Sequence, residues 1–82
     1  GIEYPKKQKS TFELIRAMVH RRVISADMYD LMDKLQEQML ASQHESVRAS
    51  CSDILIQYLI HYPLSSKRMQ EHLNFFLRNL DY

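Results

Sequence analysis

The chain is 82 residues long, 45% hydrophobic and 26% charged, with one Gly, two Pro, one Cys and no Trp. It is too apolar for a disordered segment and too poor in turn residues for a many-stranded β fold, and one cysteine excludes an intrachain disulfide framework or a multi-Cys zinc site. Eleven basic against ten acidic residues leave a net charge of +1, so no global field selects nucleic acid, membrane or an acidic substrate, and no apolar run approaches the roughly 18–20 residues of a membrane span.

Four amphipathic stretches follow one another. The first is expected from about Lys9 to Arg22, with Phe12, Ile15, Met18, Val19 and Leu14 on its apolar side. The second, about Ala26 to Ala41, carries Met28, Leu31, Met32, Leu35 and Met39. Spacings of three and four residues give each helix one buried face. The third, about Glu45 to Tyr62, places Val47, Cys51, Ile54, Leu55, Tyr58, Leu59 and Tyr62 inward. The fourth, about Ser66 to Leu80, does the same with Met69, Leu73, Phe76, Leu77 and Leu80. Ser25 is placed to cap the second helix, and Ser65 or Ser66 the fourth. Pro63 biases Tyr62 away from helical backbone and ends the third helix. Ser42-Gln43-His44 is a short polar connector, and short connections favour antiparallel neighbours.

Sliding the chain on itself by 41 residues superposes Leu14 on Leu55, Ile15 on Ile56 and Val19 on Ile60. The match continues through His20 on His61, Ser25 on Ser66, Met28 on Met69 and Met32 on Leu73. A helix–turn–helix period of about 40–47 residues is that of HEAT and armadillo repeats. The expected fold is therefore all-α: two helical hairpins, about 1–41 and 42–82, stacked as HEAT-like repeats in a fragment of an α-solenoid cut from a much larger protein. The repeat also predicts that Leu14→Ala and Leu55→Ala both remove core contacts.

Little in the chain points to catalysis. His20, His44, His61 and His72 fall on different helices or turns, without a pair at i,i+4, so no metal site is expected. Cys51 reads as a small buried hydrophobe rather than a nucleophile, having no local base. No Gly-rich phosphate loop occurs, and neither a cofactor nor a small-molecule substrate is expected. Asp27, Asp30, Asp33 and Glu37 recur on one side of the second helix, as a solvated face or as a stripe for a basic partner segment. Lys6, Lys7 and Lys9, then Arg21 and Arg22, then Lys67 and Arg68 form three small basic groups, read as solubility or as phosphate contacts. Lys67 and Arg68 oppose the dipole at a helix entry, so helix stability does not explain them.

The stretch Ser42-Gln43-His44-Glu45-Ser46-Val47-Arg48, followed by Cys51 and by Ile56-Gln57-Tyr58-Leu59-Ile60-His61-Tyr62-Pro63-Leu64, resembles the small-subunit processome component-twenty family. These are the U3 small nucleolar RNA-associated HEAT-repeat proteins, also called down-regulated in metastasis. Thr11 to Ala17, His20-Arg21-Arg22 and Leu73-Asn74-Phe75-Phe76-Leu77 fit the same family region. The chain departs from the family in having Ser65 after the Tyr-Pro-Leu, and Ser52 and Asp53 after the cysteine. The resemblance implies a non-enzymatic scaffold in the nucleolus, needed for early 18S ribosomal RNA processing. It would work beside neighbouring HEAT repeats of its own chain, pre-ribosomal particle proteins and the backbone of U3 small nucleolar RNA or pre-ribosomal RNA. The rival reading is a HEAT-repeat adaptor in transport or trafficking that binds a basic peptide.

Overall fold

A computed structural model describes the backbone of residues 4–79 and the side chains of residues 9–79. The described residues form four helices: α1 Tyr4–His20, α2 Ala26–Ala41, α3 Glu45–His61 and α4 Ser66–Asn79. Among the described residues there is no strand, so the all-α expectation holds. Leu80, expected in the core, lies outside the described residues. The first helix starts five residues before the expected Lys9, because Pro5 falls in the first turn, where a missing N–H costs no hydrogen bond.

The ends of the helices follow from side-chain chemistry. Ser25 takes extended backbone and its Oγ accepts the Met28 N–H at 3.3 Å. At α4 it is Ser65, not Ser66, that caps, its Oγ accepting the Arg68 N–H at 3.1 Å. Tyr62, held extended by Pro63, closes α3 with its N–H on the Tyr58 carbonyl. At the end of α1, Arg22 stands at φ 57. There the Arg22 N–H reaches the Val19 carbonyl and the Val23 N–H reaches the Met18 carbonyl, the paired bonds of a Schellman ending. A left-handed conformation costs a residue with a Cβ about 1–2 kcal/mol and glycine almost nothing. Arg22→Gly is therefore expected to stabilise the protein by about 1 kcal/mol, a rise in melting temperature of roughly 4–8 °C by calorimetry.

Helix α3 is the centre of the molecule, in contact with both α1 and α2. Its Val47, Cys51, Ile54, Leu55 and Tyr58, with Tyr62 just beyond it, are buried against Phe12, Ile15 and Val19 of α1 and Met28, Met32 and Leu35 of α2. The result is a slab of 41 × 36 × 17 Å with a radius of gyration of 13.1 Å, against about 12 Å for a compact domain of this length. Three tyrosines lock the connection after α1 to the connection after α3. The Tyr62 hydroxyl donates to the Val23 carbonyl, and the Tyr29 hydroxyl donates to the Pro63 carbonyl at 3.0 Å. The rings of Tyr29, Tyr58 and Tyr62 stack edge-on or tilted behind them.

Positions 41 residues apart do not share burial. Leu14 is 67% exposed, whereas Leu55 is 2% exposed, so the expectation that both are core residues is corrected. The reverse holds on another side of the same helices: Ile15 is 5% exposed and Ile56 50%, Met32 0% and Leu73 50%. Met69, Leu73 and Leu77, expected to face inward, are all exposed. Helix α4 instead turns His72 inward, with Arg68, Phe75 and Phe76 half-buried on the same side. The physical reason is the partner: α4 meets the polar edge of α2, at Asp33 and Gln36, rather than its methionine face.

Candidate interaction surfaces

The acidic stripe and one of the basic groups meet where α4 crosses α2. Asp27, Asp30, Asp33 and Glu37 are all exposed along α2. Arg68 reaches across from the first turn of α4, its Nη1 3.4 Å from both Asp33 carboxylate oxygens. Its guanidinium carbon also lies 4.9 Å from the centre of the Tyr29 ring. The guanidinium is thus held by an ion pair and an aromatic face together, which accounts for a cation at an unfavourable helix entry. It is a structural tether, and Asp33 shares in it; Asp27, Asp30 and Glu37 remain as the open part of the stripe.

A cleft of about 380 Å³ runs beside this contact, lined by Asp33, Glu37, Glu71, Arg68 and Arg78, with Gln36 and His72 at its floor. His72 is buried, its Nδ1 donating to Gln36 Oε1 at 2.8 Å, and its ring stands edge-on to Tyr58. Burial lowers the His72 pKa, Asp33 and Glu71 opposing the effect and Arg68 adding to it. Burial likewise pushes the Tyr58 hydroxyl up to about 12 and raises the Cys51 thiol, so neither is an activated nucleophile. Spacing singled out neither Gln36 nor His72, because each is polar within an otherwise apolar period and they lie 36 residues apart.

The remaining basic residues are dispersed. Arg21, Arg22, Lys9 and Lys67 are exposed, and Arg22 Nη2 stands 3.4 Å from His61 Nδ1. The side chains of Lys6 and Lys7 lie outside the described residues. Arg16, which the sequence reading had not picked out, binds Asp53 through its Nε at 3.0 Å. That ion pair joins α1 to α3. Among the described residues no group of three or more His, Cys, Asp or Glu side chains converges as a metal site, and no helix is long and apolar enough to cross a membrane.

The class defined by these features is an all-helical protein with both charged and apolar side chains exposed among its described residues. Over 99% of its length the chain is similar to U3 small nucleolar RNA-associated protein 20 of Schizosaccharomyces pombe, with 28% identity over 81 residues. It is similar to the protein of the same name from Saccharomyces cerevisiae at 26% identity over the same length. Both matches bear out the family resemblance read at Ser42–Arg48 and Ile56–Leu64. The chain spans about 3% of the length of each relative. No family model matches it, and no solved structure does.

Proposed function

We propose that the chain is a non-catalytic scaffold segment of a nucleolar small-subunit processome component that serves pre-18S ribosomal RNA processing and small-subunit assembly. The observation that carries this reading is the end-to-end similarity to two proteins named for association with U3 small nucleolar RNA. In it, α1–α2 and α3–α4 are two HEAT-like pairs, about 1–41 and 42–82, of a longer solenoid. The inverted burial of Leu14 against Leu55, and of Ile15 against Ile56, supports that arrangement. In a stack, one face of each unit is covered by the next unit, and the equivalent face of the last unit stays open. A scaffold also suits the chemistry: the buried thiol, the neutral buried imidazole and the ion-paired Arg68 serve packing, and no step of catalysis is assigned to them.

Its partners would be neighbouring repeats, proteins of the pre-ribosomal particle, and the RNA backbone at the rim. With Arg68 engaged, Lys9, Arg21, Arg22 and Lys67 are the members of the three basic groups that stand exposed among the described residues. Three such contacts to single-stranded RNA give weak, sequence-independent binding that falls roughly 20-fold between 50 and 200 mM salt. In an RNA titration, Arg21→Ala with Lys67→Ala is expected to remove most of this binding, and Asp30→Ala to strengthen it. Tight, salt-insensitive binding would overturn the rim assignment. The wider reading is tested by capturing the natural-length protein from cells. U3 small nucleolar RNA and 18S precursors are the expected companions, whereas transport or vesicle factors alone would favour a trafficking adaptor that binds basic peptides along Asp27, Asp30 and Glu37.

A further inference from the structure

A cleft of about 440 Å³ opens between the C-terminal halves of α1 and α3, within the roughly 300–1,000 Å³ of small-ligand sites. Its sides are Arg16, His20 and Arg22 from the first helix and its exit, and Asp53, Gln57 and His61 from the third. The buried Val19 and Ile54 lie beneath them. The carboxylate and the ring acceptor of this cleft are already engaged. Asp53 Oδ2 takes the Arg16 Nε–H at 3.0 Å. Arginine can only donate, so Arg22 Nη2, 3.4 Å from His61 Nδ1, makes that nitrogen the acceptor and leaves the ring proton on Nε2. The last carbonyls of the two helices, whose dipoles would repel an anion, are also occupied. Ala17, Met18 and Val19 accept from Arg21, Val23 and Arg22, and Tyr58 accepts from Tyr62. What remains is a set of donors: further guanidinium N–H groups of Arg16 and Arg22, the His61 Nε2–H, and the Gln57 side-chain amide, which has no partner among the described residues. Arg22 also stands at φ 57, and backbone strain of that kind gathers at ligand sites.

We propose that this cleft binds one nucleotide of single-stranded RNA, with its phosphate on Arg22 and His61 and its base against Arg16 and Gln57. The inference rests on the RNA contact at the rim proposed above and deepens it, turning one exposed basic residue into a defined subsite. A guanidinium fork beside an imidazole N–H directs several donors at one anion, the arrangement that phosphate oxygens accept best. Arg16, pinned by Asp53, offers a guanidinium plane on which an unstacked base can lie, and a side-chain amide meets the donors and acceptors of a base edge. An acidic peptide is a poorer occupant: its carboxylate would use the same donors but leave the Arg16 plane and the Gln57 amide unmatched. Duplex RNA is poorer still, since its bases are already stacked and paired.

The test is a titration of the protein with a short oligouridylate at low salt, followed by the NMR signals of the Gln57 side-chain amide and the Arg16 Nε–H. Both signals are expected to move with the oligonucleotide and to stay in place with inorganic phosphate or a polyglutamate peptide. No movement with the RNA, or equal movement with either control, would overturn the nucleotide assignment. Arg22→Gly relieves the left-handed backbone and so keeps the fold. It is expected to lower the affinity for the oligonucleotide roughly tenfold and to abolish both shifts, whereas Lys67→Ala weakens binding and leaves the shifts in place. An Arg22→Gly variant that binds as the parent does would contradict the subsite. The two claims fail separately. RNA binding that depends on Arg21 and Lys67 while the Gln57 and Arg16 signals stay still removes the cleft and leaves the rim contacts. Shifts at both signals, in a protein that recovers no U3 small nucleolar RNA from cells, keep the cleft and remove the scaffold reading.

Discussion

Leu55→Ala is expected to destabilise the protein by about 2–5 kcal/mol, while Leu14→Ala changes it by no more than about 0.5 kcal/mol. The two leucines are repeat-equivalent and chemically identical, so the difference isolates environment. Leu55 is enclosed with Ile54, Met32 and Tyr58 at the centre of the core, and its truncation leaves a cavity where α3 packs against α1 and α2. Leu14 is mostly in solvent. Because domains are stable by only about 5–15 kcal/mol, the Leu55 change alone consumes a large share. Thermal or urea melts of the two variants beside the parent decide it. Equal losses would mean that the surface bearing Leu14 is covered.

Acidification is expected to destabilise the protein through His72. Its folded pKa lies below the usual histidine value because burial disfavours the imidazolium, and Nε2 is buried without an acceptor. The unfolded chain therefore takes up a proton first. The contribution of His72 to stability is complete above about pH 6.5 and is lost as the pH falls below it. The charged groups around the ring are Asp33 from α2 and Arg68 and Glu71 from its own helix, with the Tyr58 ring from α3 against its edge. His72→Leu is expected to flatten the stability profile between pH 7 and 5. Gln36→Leu leaves the Nδ1–H without its acceptor and costs about 1–3 kcal/mol at neutral pH. The double variant recovers much of that loss, as expected of residues that act as a pair. In urea melts across this pH range, a parent whose stability does not fall with pH, or a His72→Leu variant whose stability falls as steeply as the parent's, would contradict the assignment.

Helix α3 was the most legible element, because Val47, Cys51, Ile54, Leu55 and Tyr58 keep a strict helical period and Pro63 ends it. Along α4 the same reasoning chose the wrong face. The apolar stripe through Met69, Leu73 and Leu77 is genuine, but periodicity cannot say which neighbour a stripe meets, and here it meets none of the described helices. The inward face carries His72 and Arg68, whose partners Gln36 and Asp33 are about 35 residues away in sequence. Contacts of that range leave no local pattern. The surface charges were partly legible: Asp27, Asp30 and Glu37 stand open as expected, while Arg68 is tied to Asp33 and Tyr29. The Tyr-Pro-Leu turn was read as a family mark, and the tyrosine–carbonyl bonds of Tyr62 and Tyr29 give it a mechanical reason.

The central claim is that this protein serves pre-18S processing as a scaffold. The most direct measurement is to deplete it from the cells that make it and follow ribosomal RNA by hybridisation, with restoration by the parent and by Leu55→Ala. Accumulated 18S precursors and falling mature 18S RNA, restored by the parent and poorly by Leu55→Ala, are the predicted result. Unchanged precursor and 18S levels after depletion would contradict it.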